Sequence, residues 1–309
     1  MKIFAGVPKI NFMAQRRAGL AVSLVLTLAA LTLLATRGLN LGIDFTGGVL
    51  VEAHYPQTIE LERVRGELAQ GGFERAVAQY FGSTSDVLIR LPPAQGESSA
   101  QVSTQVLAAL GAEAKNIELR RIEFVGPQVG EELTEKGSTA LLMAFIGIFL
   151  YIMFRFEWKF SVGAIAALIH DALMALGFLS LFWIEFDITT LAALLALIGY
   201  SNNETVVIFD RVRENLIQQR RGEILDIVNL SVNQTLLRSV ITHLTTLLVL
   251  TALLTLGGPS VHSFSVALMV GVVVATYSSI YVSTNLAVVL GLSREDLLPP
   301  KLEESDEMP

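Results

Sequence analysis

The stretch Ile188-Thr189-Thr190-Leu191-Ala192-Ala193-Leu194-Leu195-Ala196-Leu197-Ile198-Gly199-Tyr200-Ser201-Asn202-Asn203-Glu204-Thr205-Val206-Val207-Ile208-Phe209 is long and apolar enough to cross a bilayer. Near its end it carries two amides and a carboxylate where hydrocarbon is expected. A charge in such a place must pair, face water or take up a proton, so Glu204 is read first as a functional residue. Apolar residues make up 52% of the chain and charged ones 17%. The apolar residues are gathered in blocks, which defines a polytopic α-helical membrane protein. Six transmembrane helices of about 20 residues each are expected, at 17–36, 138–155, 160–183, 188–209, 236–256 and 263–290. The first follows Arg16 and Arg17 but has no A-x-A site after it, and is read as a retained anchor.

Lys2, Lys9, Arg16 and Arg17 precede the first span, Arg155 and Lys159 follow the second, and Arg211, Arg213, Arg220 and Arg221 follow the fourth. The positive-inside rule then places these ends, the N-terminal 1–16 and the acidic tail 291–309 on the cytoplasmic side, and 37–137 outside. The segment 211–230 mixes charge with Leu216, Ile217, Ile224, Leu225 and Ile227, and is expected as an amphipathic helix at the cytoplasmic interface. A net charge of −7 without a basic stripe argues against a nucleic-acid partner. The absence of cysteine excludes disulfides and thiolate chemistry. No Walker, dinucleotide or G-x-S-x-G motif supports an enzyme, and His243 and His262 lack the companions of a metal site.

Residues 37–137 alternate strand-like 49–54, helix-like 60–71, strand-like 76–82 and 86–91, helix-like 100–110 and strand-like 117–124. That βαββαβ order predicts one α+β ferredoxin-like external domain between the first and second helices, with a hairpin turn at 82–86. Glycine-containing linkers flank it: Asp44, Gly47 and Gly48 on entry, Gly126, Pro127 and Gly130 on return. They suit a hinge between membrane and domain, and equally a static turn.

Five stretches carry a resemblance: Gly42-Ile43-Asp44-Phe45-Thr46-Gly47-Gly48, Val125-Gly126-Pro127-Gln128-Val129-Gly130, Arg155-Phe156-Glu157-Trp158-Lys159-Phe160, Leu168-Ile169-His170-Asp171, and 198–215. In this order the chain resembles the SecD/SecF family of bacterial protein translocase subunits, on the SecF side, a family related to the resistance-nodulation-division transporters. The resemblance implies a multi-pass protein of the bacterial cytoplasmic membrane that uses the proton motive force to assist Sec-dependent export. It also implies SecD as a pseudo-symmetric partner, the SecYEG channel and YajC as associates, an unfolded polypeptide as substrate, and no cofactor beyond protons. The family usually shows Asp where this chain has Glu204, and an apolar residue where it has Asn202.

Glu204 and Arg238 lie at similar depth from the cytoplasmic side, so the expectation is a buried pair whose release favours protonation; a static salt bridge and snorkelling side chains fit the same positions. Asp171 lies near the middle of the third span, where an acid needs a partner or water, and is expected to relay protons; His170 beside it is expected to relay protons or to be a packed, neutral ring hydrogen-bonded to a carbonyl. Asn203 is grouped with this set, with interhelical hydrogen bonding as its other role. Two further readings stand at this stage: a passive scaffold for SecD and the channel, and proton-coupled efflux of small molecules.

Overall fold

The computed structural model describes residues 8–92, 99–111, 116–219 and 221–297. Lys2, Arg220 and the acidic stretch 303–307 lie outside the described residues. Six helices are long and apolar enough to cross a membrane. They are α1 (Arg16–Thr36), α5 (Pro127–Arg155), α6 (Trp158–Phe182), α7 (Ile188–Gln218), α8 (Ile224–Leu256), and a last span that begins as α9 (His262–Ser278). This last helix passes through one π-turn, Ser279–Ser283, before α10 (Thr284–Val289).

Small residues set how closely the spans approach. A β-carbon on Gly163 of α6 would lie 2.5 Å from the Ser283 carbonyl oxygen in the π-turn, and one on Gly177 would lie 2.6 Å from Cβ of Ala30 on α1. Helices α6 and α7 are buried along much of their length, whereas α5 and α8 present Leu142, Met143, Phe154, Leu244 and Leu248 outward.

Between α1 and α5 the chain forms β1 (Asn40–Leu41), α2 (Ile43–Thr46), β2 (Gly48–His54), α3 (Leu61–Gln70), β3 (Val77–Phe81), β4 (Ser83–Leu91), α4 (Ser99–Leu110) and β5 (Glu118–Val125). The strands form one antiparallel sheet in the order β3-β4-β2-β5. One face, with Val49, Val51, Val87 and Ile89, packs under Val64 and Leu68 of α3 and Val102, Val106 and Leu110 of α4. The other face buries Leu50 and Leu88 against Ile43. The central strand is therefore apolar on both sides, which is why it reads as a run rather than an alternation.

Three expectations need correction. Pro127 and Gly130 are helical, the first two turns of α5, because Pro at the first position fixes φ for a helix. The two linkers are pressed together: a β-carbon on Gly130 would lie 2.9 Å from the Gly47 nitrogen, and one on Gly47 would lie 3.0 Å from Cα of Pro127. The segment 211–230 is not one interfacial helix. It is the end of α7 and the start of α8, whose Val212, Leu216, Ile227 and Val228 bury against one another in the same cluster. Mutual burial of both apolar faces replaces burial in lipid. The hairpin turn is also tighter than 82–86, since pairing resumes at Ser83 opposite Phe81, and Ser83 Oγ bonds to the Asp86 carboxylate at 2.6 Å.

Two short strands tie the sheet domain to the bundle. Asn40 and Leu41 of β1 pair in parallel with Glu185 and Phe186, which form β6 between α6 and α7. Phe45 stacks on Phe186 with ring centroids 5.4 Å apart.

Candidate functional site: a polar ring inside the bundle

Helix α7 places Ser201 and Glu204 three residues apart, hence on one face, and that face is turned inward. Ser201 Oγ donates to Asp171 Oδ2 on α6 at 2.6 Å. Ser278 of α9 donates to the same oxygen at 2.8 Å, and Asp171 Oδ1 lies 3.0 Å from Nδ1 of His170. Asp171 is 1% exposed. Glu204, 7% exposed, accepts through Oε1 from Ser239 Oγ of α8.

One turn along α8, His243 brings Nε2 to 3.9 Å from Glu204 Oε2, beyond hydrogen-bond distance. Its Nδ1 meets Thr276 Oγ1 on α9 at 2.9 Å, and its ring lies 5.4 Å from that of Tyr200. The contacts close on themselves: α6 to α7 through Asp171 and Ser201, α7 to α8 through Glu204 and Ser239, α8 to α9 through His243 and Thr276, and α9 back to α6 through Ser278. Two acids and two imidazoles thus sit among contacts that join the four helices in a closed order.

The expected residues divide. Glu204, Asp171 and His170 belong to the ring. Asn203 does not, since it is exposed on the opposite face of α7. Arg238 is not the partner of Glu204. It sits at the expected level, one residue before Ser239, but one residue turns a helix by about 100°. Its side chain is exposed and lines an open cavity of about 290 Å³ with Asp210, Arg211, Glu214 and Gln234.

Sequence reasoning missed Ser201, Ser239, His243, Thr276 and Ser278. The available signal was the i, i+4 spacing of Ser239 and His243 on an otherwise apolar span, which puts both on the face that meets Glu204.

The hinge residues form a second, junctional cluster. Asp44 Oδ2 accepts from the Ile188 nitrogen at 2.9 Å, capping the first turn of α7 together with Asp187, which accepts from the Thr190 nitrogen at 2.7 Å. Arg90 of β4 reaches Glu185 at 3.3 Å and donates to Asn40 Oδ1 and the Leu41 carbonyl, each at 3.0 Å. Burial pushes the Glu185 carboxyl above its ordinary value; Arg90 opposes this, and Asp187 and Asp44 add to it. Gly126 caps α5 from extended backbone. The described residues hold no group of acids and histidines arranged for a metal.

Fold and ring together define a multi-pass membrane protein with ionisable side chains enclosed by its helices. Residues 105–293 match the model for protein export membrane protein SecD/SecF, C-terminal, and residues 32–57 the SecD/SecF GG motif. The chain is 48% identical to protein translocase subunit SecF of Pseudomonas aeruginosa over 96% of each chain, and 45% identical to that of Vibrio alginolyticus over 97% of each. It superposes with a TM-score of 0.83 at 38% identity on SecDF, a translocon-associated membrane protein from Thermus thermophilus, covering 93% of this chain and 39% of that longer one. The chain belongs to the SecD/SecF family of protein-export membrane proteins.

Proposed function

We propose that this chain is a SecF-type translocase subunit that works with a SecD partner to assist Sec-dependent export through SecYEG, in association with YajC, using the proton gradient of the bacterial cytoplasmic membrane. Support for the export role comes from relatives named as translocase subunits over nearly their full length. A SecD partner is supported by the SecDF chain, of which this one matches about two fifths. The sheet order β3-β4-β2-β5 within βαββαβ supports a ferredoxin-like domain, and the Lys and Arg distribution supports placing it outside with both termini cytoplasmic. Protons are the coupling ion, and no further cofactor is invoked.

One observation carries the proton role. Glu204 is buried against a serine hydroxyl and an imidazole, with no Arg or Lys in salt-bridge contact among the described residues. A carboxylate so placed can gain or lose a proton without first breaking an ion pair, which suits a coupling residue. Each proton crossing 100 mV supplies ~2.3 kcal/mol, enough to bias a two-state equilibrium about fiftyfold. The ring conveys such a bias to α6, α8 and α9 at once, and the start of α7 is held by Asp44 next to the sheet domain. Movement of that domain against an emerging polypeptide is the output.

The test is proton flux and secretion in vesicles holding this chain and SecD, wild type against Glu204→Gln. Loss of both at normal complex yield supports the motor. Full stimulation in the variant refutes it and leaves the scaffold reading, which the complete set of hydrogen bonds on Asp171 would then favour.

A further inference from the structure

His243 is the buried titratable group of the ring that the proton role of Glu204 does not yet use. Its environment fixes which nitrogen carries a proton. Thr276 Oγ1 has a single hydrogen, and it lies 3.0 Å from the Val272 carbonyl, the usual back-bond of a helical threonine. The oxygen is left to accept, so Nδ1 of His243 is the donor across their 2.9 Å contact. Nε2 then presents a lone pair in the neutral ring and an N–H in the charged one. It is buried without a hydrogen-bond partner, and the nearest carboxylate oxygen is Glu204 Oε2 at 3.9 Å.

Among the described residues, Glu204 is the one charged group placed against His243. Helix α7 presents Tyr200 and Glu204, α9 presents Thr276, and Ser239 lies one turn away on its own helix. We infer that His243 and Glu204 form one acid–imidazole pair that holds a single shared proton, which makes His243 a second proton-carrying residue of the bundle. The inference rests on the proton-coupled reading of Glu204. In one form the Glu204 carboxyl bears the proton and faces the bare Nε2. In the other the Oε2–H bond has broken, the N–H bond on Nε2 has formed, and carboxylate faces imidazolium at the same net charge.

The separation gives the pair a mechanical consequence. At 3.9 Å neither form is hydrogen-bonded, and closing by about 1 Å makes either a proper bond. Because Glu204 rides on α7 and His243 is tethered through Thr276 to α9, arrival of the shared proton draws these helices together. Removal of the proton leaves a bare carboxylate against a neutral ring, and the gap reopens.

The complex of this chain with SecD, in vesicles, tests the pair through proton flux measured across pH. In the wild type, flux is expected to depend on pH, because the imidazole is one of the two groups that carry the proton. His243→Gln keeps an amide near the position of Nε2 but cannot titrate. It is expected to lower flux by about tenfold or more, to lose that pH dependence, and to add nothing when combined with Glu204→Gln. An unchanged pH profile in His243→Gln, with Glu204→Gln inactive, overturns the pair and spares the proton role of Glu204; activity in Glu204→Gln overturns that underlying role. Should His243→Gln fail to assemble, infrared titration of the wild-type complex with labelled histidine decides. The carboxyl band missing from Glu204→Gln and the imidazole band must change in one pH step, and two separate steps refute the shared proton.

Discussion

Asp171 is held by three side chains at once. Its Oδ2 accepts from Ser201 and Ser278, and Oδ1 faces His170. Asparagine can keep this set, its oxygen taking both serines and its amide turned to Nδ1 of His170, so Asp171→Asn should keep the melting temperature of the purified complex close to wild type. Asp171→Leu strands two buried hydroxyls and the ring nitrogen, and should destabilise by about 1–3 kcal/mol. Equal melting temperatures for both variants would show that the ring does not hold the bundle together. Asp86 offers a pH test outside the membrane. Burial disfavours its charge, but hydrogen bonds from Ser83 and His54 and the Arg120 guanidinium outweigh burial and hold the carboxyl below its ordinary value. Stability from this group is therefore present above the unfolded carboxyl value near ~4 and is lost as pH falls through the folded one. Hydrogen exchange at β3 and β4 should quicken below about pH 4, by no more than about 1 kcal/mol because Arg120 and His54 are partly solvated, and Asp86→Asn should abolish that dependence. At this scale Glu204 was legible because a carboxylate in hydrocarbon is conspicuous. Its partners were not, since serine and threonine are ordinary in membrane helices, and Arg238 stood out by charge while facing away.

At the scale of elements, the apolar windows marked all six long helices, but their ends were set by contacts that no window contains. Helix α7 continues to Gln218 because Val212 and Leu216 find Ile227 and Val228 across the turn. Helix α5 starts early because Gly130 fits against Phe45 and Gly47. The strands and helices of the sheet domain were readable from their alternation and turns, while the closeness of the two linkers is a tertiary fact. Glycines make this distinction measurable. Gly48 has φ of 126°, and a β-carbon there would lie 2.2 Å from the Leu91 carbonyl oxygen, where β2 pairs with β4. Gly48→Ala should destabilise the sheet domain by at least about 1–3 kcal/mol. Gly66, inside α3, has nothing within 4 Å of its β-carbon position, and Gly66→Ala should stabilise by about 0.5–1 kcal/mol. Thermal unfolding and limited proteolysis of the two variants should move in opposite directions; a shared direction would contradict the backbone account of Gly48.

For the whole molecule, the decisive contact is the junction where the sheet domain meets the helix that carries Glu204. Asp44 caps α7, Asn40 and Leu41 pair with Glu185 and Phe186, and Arg90 ties Asn40, Leu41 and Glu185 to β4. The Arg90 and Glu185 side chains are 11% and 15% exposed, so their pairing is more than a surface contact. Removing the guanidinium in Arg90→Ala leaves an acidic cluster of Glu185, Asp187 and Asp44 with its nearest cation gone. The expected loss is about 1–3 kcal/mol, below the ~3–5 of a fully buried pair. Its pH dependence has a definite sign. The Glu185 carboxyl is already raised in the folded protein by burial, and Arg90 opposes that rise. A folded state that prefers the protonated acid is most stable at low pH and loses that advantage as pH climbs from the unfolded carboxyl value near ~4.3 through the folded one. Without Arg90 the penalty should be larger and extend to higher pH. Hydrogen exchange at 40–48 and 185–190 should therefore accelerate, as pH rises above the unfolded carboxyl value, more steeply in Arg90→Ala than in wild type, after correction for intrinsic exchange. Adding Glu185→Gln should flatten the curve, because no charge remains to be buried. If the double variant keeps the steep dependence, the titrating group is elsewhere and the junction is held by the short β-pairing alone. If it flattens, proton flux in Arg90→Ala vesicles should persist while export stimulation falls, since the ring would still work and only its connection to the sheet domain would be loosened.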